Sequence, residues 1–435
     1  MDGFGIHLIN RNSQGLFVRL LGSAVIVQAL LSAGSLGVGL ILIRNATNAQ
    51  YGSYVLVLNA LLLVTALQNN FIQVPMVHRM SRLDALGCAD LIGGLLREQR
   101  QLVPIFGAAA VAVTLALWLC GALSVHTTVL VLSAVAAALA TLYREFFRMV
   151  LLAYRRPLEV MQVDLLYVVM LVCGAFLATL TRAPAVVTVL ILCAAAATAG
   201  ILLSKSLWRH QPWNIHGARG ILLQMVPVGT WTLAGAAIHW TFSQGYNYLI
   251  VGTLDVNAVA AAAATRIFMM PVNMLSTGIG SLMLPTATGW LLTHGARTVF
   301  KRLSLLAAAL AGFALCYLSV VWVCRDWIFA SMLHKQFEQR DLLLQLWSVI
   351  FVLMIFRDQL LFLPLTRTRY RPLTTLTFCS AVLSLAVSYA SMVRIGVVGA
   401  LVGVLAGEIL SVVGLVVFGF IEMHRDGAAP SAQPS

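Results

Sequence analysis

Arg357 and Asp358 stand inside "VIFVLMIFRDQLLFLPL", and Arg144, Glu145 and Arg148 stand inside "LATLYREFFRMVLLAY", where almost every neighbour is apolar. Arg266 is equally isolated in "AAAAATRIFMMPV". A guanidinium in such surroundings does one of two things. It pairs with a carboxylate, or it offers fixed positive charge to an anion such as a phosphate, because an unpaired charge in hydrocarbon costs several kcal/mol. Arg266 follows Asp255 by roughly 16 Å of helix at about 1.5 Å per residue, which puts it near mid-depth of a membrane span. Two readings stand for it: a cavity-facing anion site, or an ion pair with Asp358 or Glu408. Arg144 and Arg148 are four residues apart and share a helix face, as either a phosphate-catching stripe or charges that snorkel to the interface. For Arg357 the adjacent Asp358 points about 100° away, so its partner is expected elsewhere. Asp164 and Glu408 are lone acids in apolar runs, and are candidates for proton or cation coupling or else satisfied structural acids.

Apolar runs near twenty residues recur along all 435 positions, with 60% hydrophobic and only 10% charged residues. This composition excludes an ordinary soluble domain. Spans are expected near 18–43, 54–77, 102–123, 128–152, 160–181, 184–204, 221–251, 256–287, 303–324, 342–365, 373–393 and 396–421, each able to cross a hydrocarbon core about 30 Å thick. Alternating strand patterns are missing, so the expected fold is an all-α integral membrane protein with about twelve transmembrane helices.

Charge orients these helices. With the N-terminus inside, twenty of the 28 Lys and Arg residues fall in inner connections and six in outer ones, Arg44, Arg182, Arg325, Lys335, Arg340 and Arg394. That bias predicts cytoplasmic termini and accounts for most of the +13 net charge, so no nucleic-acid partner is expected. The seven cysteines form no CxxC and read as small buried apolar residues; no cofactor or metal signature is present. No Ser/His/Asp set, nucleotide loop or long outer loop with paired carboxylates argues for an enzyme.

The seventh span, "GILLQMVPVGTWTLAGAAIHWTFSQGYNYLIVG", is polar and aromatic. Trp231, Trp240, Gln244 and Asn247, with His239 and Tyr246, are candidates to stack on and hydrogen-bond to sugars, and Gln28 is the candidate in the first span. An interfacial belt at the outer end is the other reading, and it suits Tyr246 and Tyr248 better than Trp231. The amides of "LQNNFIQVP" serve either helix packing or a wet cavity, Gly399, Gly403 and Gly407 form a packing groove, and "RLDALGCADLIGGLLREQR" is expected along the inner membrane face as an amphipathic helix.

"YREFFRMVLLAYRRPL" (143–158) and "FRDQLLFLPLTRTRYRPL" (356–373) both read aromatic, Arg, acid, apolar stretch, basic cluster, Arg-Pro-Leu. Six helices separate them, which predicts two duplicated halves, 1–205 and 221–435, joined by the polar linker 206–220.

"ATRIFMMPVNMLSTGIGSLMLPTATG", "LIRNATNAQYGSYVLVLNA" and "GVVGALVGVLAGEIL" resemble the polysaccharide-transporter, or O-antigen (Wzx-type) flippase, branch of the multidrug/oligosaccharidyl-lipid/polysaccharide exporter superfamily. The resemblance implies two six-helix lobes in a V-shaped MATE-like exporter fold, in a bacterial inner membrane. It also implies a lipid-linked oligosaccharide as cargo, membrane lipids as surroundings, and polysaccharide polymerase and export proteins as partners. An ion-coupled drug exporter of the same superfamily is the alternative. That exporter needs an acidic cavity, whereas Arg266 and Arg357 favour an anionic cargo.

Overall fold

A computed structural model of the chain describes residues 30–80, 82–154, 156–210 and 219–428. Gln28, residues 18–29 of the first expected span and the 211–218 part of the linker lie outside the described residues.

The described residues form helices and no strands. The first are α1 (Leu30–Asn45), α2 (Asn48–Gln68), α3 (Val74–Met80), α4 (Ala85–Leu119), α5 (Val125–Ala153), α6 (Pro157–Ala178) and α7 (Pro184–His210). There follow α8 (Ile221–Thr253), α9 (Val256–Arg266), α10 (Met270–Val323, two helices joined at a kink at Gly295, whose φ is 73°), α11 (Arg325–Trp327), α12 (Arg340–Leu360), α13 (Phe362–Thr366), α14 (Tyr370–Ile395) and α15 (Val397–Ala428). Among the described residues ten stretches are long and apolar enough to cross a membrane, or eleven if Ile221–Pro227 and Gly229–Thr253, bent at the proline, count as one.

Short polar residues start these helices. Thr47 and Gln50 exchange a reciprocal capping box, and Asp84, Ser124 and Asp255 each accept from a backbone N–H three residues on. Pro157 opens α6 and Pro372 falls in the first turn of α14, so both copies of Arg-Pro-Leu start a helix where a missing N–H costs nothing. Between α2 and α3 the amide-rich Asn69–Gln73 widens into a π turn just before Pro75, and the Asn70 amide donates to Ala66 O at 2.8 Å.

The chain divides into two compact units. The first holds, of the described residues, 30–38, 71–178 and 186–229; the second holds 39–70, 179–185 and 230–428. In the first, Leu91, Ile92, Leu95 and Leu96 of α4 pack with Phe146, Phe147, Val150 and Leu151 of α5 and with Leu203 and Leu207 of α7. This corrects one expectation. The segment 82–100 is no separate surface helix, because Leu91, Ile92, Leu95 and Leu96 are buried in this core and its helix continues to Leu119, although Leu83 and Leu86 at its start are exposed. The cysteines also differ from expectation: Cys88 is buried, while Cys120, Cys173, Cys316, Cys324 and Cys379 are exposed. Large apolar side chains such as Phe106, Leu177, Leu292 and Val323 are likewise exposed, a surface suited to lipid tails and ill suited to water.

In the second unit α9 packs between α2 and α12, and the buried Trp347 donates its indole N–H to Ala262 O at 3.0 Å. The α14–α15 pair is its tightest seam. Gly403 faces Ser388 and Ser384, and a Cβ on Gly407 would lie 2.8 Å from that of Ser384. Ser388 donates to Ala400 O at 2.9 Å, and Ser411 donates to Ser380 Oγ at 2.9 Å. Small residues on both helices let the backbones approach, and their hydroxyls are satisfied inside the seam.

Candidate functional site

In the first unit the duplicated Arg-acid motif closes into a four-membered network. Arg144 donates from Nη1 to Glu145 Oε1 at 2.8 Å and from Nη2 to Asp164 Oδ1 at 2.5 Å. Arg148, one turn along α5, donates from Nε to Asp164 Oδ2 at 3.0 Å and from Nη1 to Glu145 Oε2 at 3.3 Å. The Arg144 guanidinium also lies 3.8 Å from the centre of the Tyr167 ring, which stands one turn after Asp164 on α6. Two cations and two anions are thus balanced in a place where Asp164 is wholly buried.

In the second unit the matching motif is held differently. Arg357 on α12 donates from Nη1 to Glu408 Oε1 of α15 at 2.5 Å. It also reaches its neighbour, with Nε at 3.1 Å and Nη2 at 2.9 Å from Asp358 Oδ1. That contact corrects the expectation that adjacent residues point too far apart to pair. The Cβ directions do diverge, but an arginine side chain is long enough to curl around the helix and bring its fork to the neighbouring carboxylate. Asp358 Oδ2 accepts from Ser276 Oγ at 3.3 Å, and the Phe242 ring lies 5.7 Å from the Arg357 guanidinium carbon.

Arg266 has no carboxylate within 4 Å among the described residues. Its Nη1 donates to Gln244 Oε1 at 2.9 Å and to Tyr246 OH at 3.1 Å, and its guanidinium carbon lies 5.4 Å from the Trp347 ring centre. Nε and Nη2 have no protein partner among the described residues. The backbone explains the placement. Pro271 cannot donate to Ile267 O, so the helix breaks after Arg266 into a tighter turn, Ile267–Met269, in which the Met270 N–H takes Ile267 O. Arg266 therefore ends α9, where the helix C-terminus favours a cation and neutral oxygens orient it. The result is a half-buried, always-charged fork with free donors and no bonded anion.

The remaining candidates fall into three groups. Asn247 is buried and donates to Gln244 Oε1 and O, both at 3.4 Å, so it joins the Arg266 cluster through the glutamine. Trp240 donates to Asn59 O at 3.0 Å and stacks on Tyr248 at 5.5 Å, in the packing of α8 on α2. Trp231 is 81% exposed and stands apart from the cluster. Trp347, Tyr167 and Ser276 were not singled out in the sequence. Tyr167 had a signal in its three-residue spacing from Asp164, while Trp347 and Ser276 come from distant positions with none. Among the described residues no three His, Cys, Asp or Glu side chains gather as metal ligands.

Among the described residues, ten or eleven helices of spanning length with buried Arg–carboxylate networks describe a polytopic membrane protein. No protein-family model and no curated protein matches the chain. Solved structures do. An inward-facing multidrug resistance MATE family transporter of the MOP superfamily is 13% identical with a TM-score of 0.70, over 92% of this chain and 96% of that one. The lipid II flippase MurJ in an inward closed conformation is 10% identical with a TM-score of 0.71, over 91% and 86%. A MOP superfamily transporter from Pyrococcus furiosus, whose binding pocket is described as of reverse polarity, is 14% identical with a TM-score of 0.64, over 95% and 96%. At these identities the likeness shows the fold, an all-helical membrane architecture shared with MATE transporters and MurJ.

Proposed function

We propose that this protein is a flippase that carries an undecaprenyl-diphosphate-linked oligosaccharide from the inner to the outer leaflet by alternating access, for surface polysaccharide assembly. The observation that carries the reading is Arg266, a cation within a span whose bonded neighbours are all neutral and whose free N–H groups suit a diphosphate. Gln244, Asn247 and the aromatic rings beside it supply amide and apolar surface of the kind that binds sugars. The likeness to a lipid II flippase supports the same cargo class. In this reading residues 1–205 and 221–435 are duplicated lobes in a bacterial inner membrane, both termini are cytoplasmic, and polymerase and export proteins act downstream.

An ion-coupled exporter is the second reading. Glu408, buried against Arg357, favours it as an acid able to exchange a proton or cation, and MATE transporters share the fold.

Complementation separates the two. In cells lacking this gene, Arg266→Ala is expected to abolish surface polysaccharide at normal protein level, with Arg266→Lys restoring part of it. Normal polysaccharide from Arg266→Ala overturns the phosphate site, and normal polysaccharide from the null strain transfers the assignment to the exporter.

A further inference from the structure

A cavity of about 670 Å³ lies in the first unit between α4 and the start of α8, on the predicted cytoplasmic side. Two guanidiniums line it, Arg97 and Arg219, and most of the remaining wall is apolar, with Phe71, Leu102, Leu223 and Val226. Glu98, the one acid in the wall, is already committed. Its Oε1 accepts from the Gly220 and Ile221 N–H groups, the latter at 3.0 Å, and its Oε2 accepts from Leu222 N–H at 2.7 Å. That carboxylate is compensated by the positive end of α8. Among the described residues neither arginine enters an ion pair or hydrogen bond.

The cavity continues onto surface suited to lipid. On α4, Leu102, Ile105 and Phe106 recur on one face at 43%, 62% and 70% exposure, and Leu223 of α8 is 76% exposed. Charges that serve topology alone need only water; here two cations face a pocket whose apolar wall runs into the membrane surface.

We propose that this cavity binds the phosphate headgroup of an anionic membrane phospholipid. Arg97 and Arg219 take the phosphate oxygens, and the acyl chains lie along Leu102, Ile105, Phe106 and Leu223. Basic pockets between helices on the cytoplasmic side are suited to such headgroups, and guanidinium forks match phosphate geometry. The bound lipid bridges α4 and α8 across the junction that Glu98 holds. The proposal is independent of the cargo.

The test is native mass spectrometry of the delipidated full chain, titrated in parallel with phosphatidylglycerol, phosphatidylethanolamine and undecaprenyl phosphate. One phosphatidylglycerol is expected to bind more tightly than phosphatidylethanolamine. The double variant Arg97→Ala/Arg219→Ala is expected to weaken it about thirtyfold, from two cations each contributing near the membrane surface. Leu102→Trp, which keeps both charges and fills the cavity, is expected to weaken it too, whereas Arg297→Ala/Arg371→Ala leaves it unchanged. Unchanged phosphatidylglycerol affinity in both cavity variants overturns the site. Equal affinity for the two phospholipids overturns the anionic headgroup, and undecaprenyl phosphate that phosphatidylglycerol does not displace reassigns the cavity to the lipid carrier.

Discussion

Glu408 meets Arg357 at 2.5 Å from the position directly after Gly407, the last glycine of the row that presses α15 onto α14. The packing seam and the ion pair thus occupy adjacent positions on α15. The glycines set how closely α15 approaches α14, and the next residue carries the carboxylate that meets the arginine on α12.

Glu408→Ala leaves Arg357 with Asp358 alone in a poorly solvated site. Breaking a buried pair by removing one partner costs about 3–5 kcal/mol, so the thermal midpoint of the detergent-solubilised variant is expected to fall markedly. The double variant Arg357→Ala/Glu408→Ala is expected to lose less than the sum of its single changes, as read by a double-mutant cycle.

Gly403→Val drives a branched side chain into Ser388 and Ser384, and folded protein is expected to be lost, since overpacking costs about 1–3 kcal/mol and more against backbone. Gly312→Ala, where an added Cβ meets nothing within 4 Å, is expected to be neutral or slightly stabilising. Equal yields from size-exclusion chromatography would contradict the seam.

Asp164→Asn removes the anion that two arginines share. The expected result is a drop in thermal stability of about 3 kcal/mol, of which Arg148→Gln in the same chain recovers part by restoring charge balance. A stability unchanged by Asp164→Asn would mean that this network is solvated.

Tyr246→Phe and Gln244→Leu remove the two oxygens that aim Arg266. Each deletion is expected to cost about 1 kcal/mol of orientation, hence a several-fold loss of surface polysaccharide transport at normal protein level. Asn59→Ala, which leaves both of those oxygens in place, is the comparison and is expected to leave transport intact.

Much of the architecture was legible because membrane spans announce themselves by length and hydropathy. The burial of both Arg-acid pairs was legible as well, since "YREFF" and "FRDQL" set charge inside the apolar runs that became α5 and α12. The partners were not. Arg144 is answered from α6, the next helix, whereas Arg357 is answered from α15, and no spacing in the chain encodes which helix turns an acid towards it. The α4 segment misled because charges between leucines look amphipathic whether the apolar face meets lipid or protein. The neighbours of Arg266 were half legible: Gln244 and Tyr246 stood out in a polar span, while Trp347 looked like one more aromatic in an apolar run.

Glu98 and the start of α8 are separated by 122 residues of chain. At about 5–20 residues per second of synthesis, α4 waits roughly 6–25 s for the amides that its glutamate will hold. During that interval the carboxylate has only water and nearby arginines to answer it. This contact is consequently a clock as well as a clasp: it can form only after the whole chain from α4 to the start of α8 has been made.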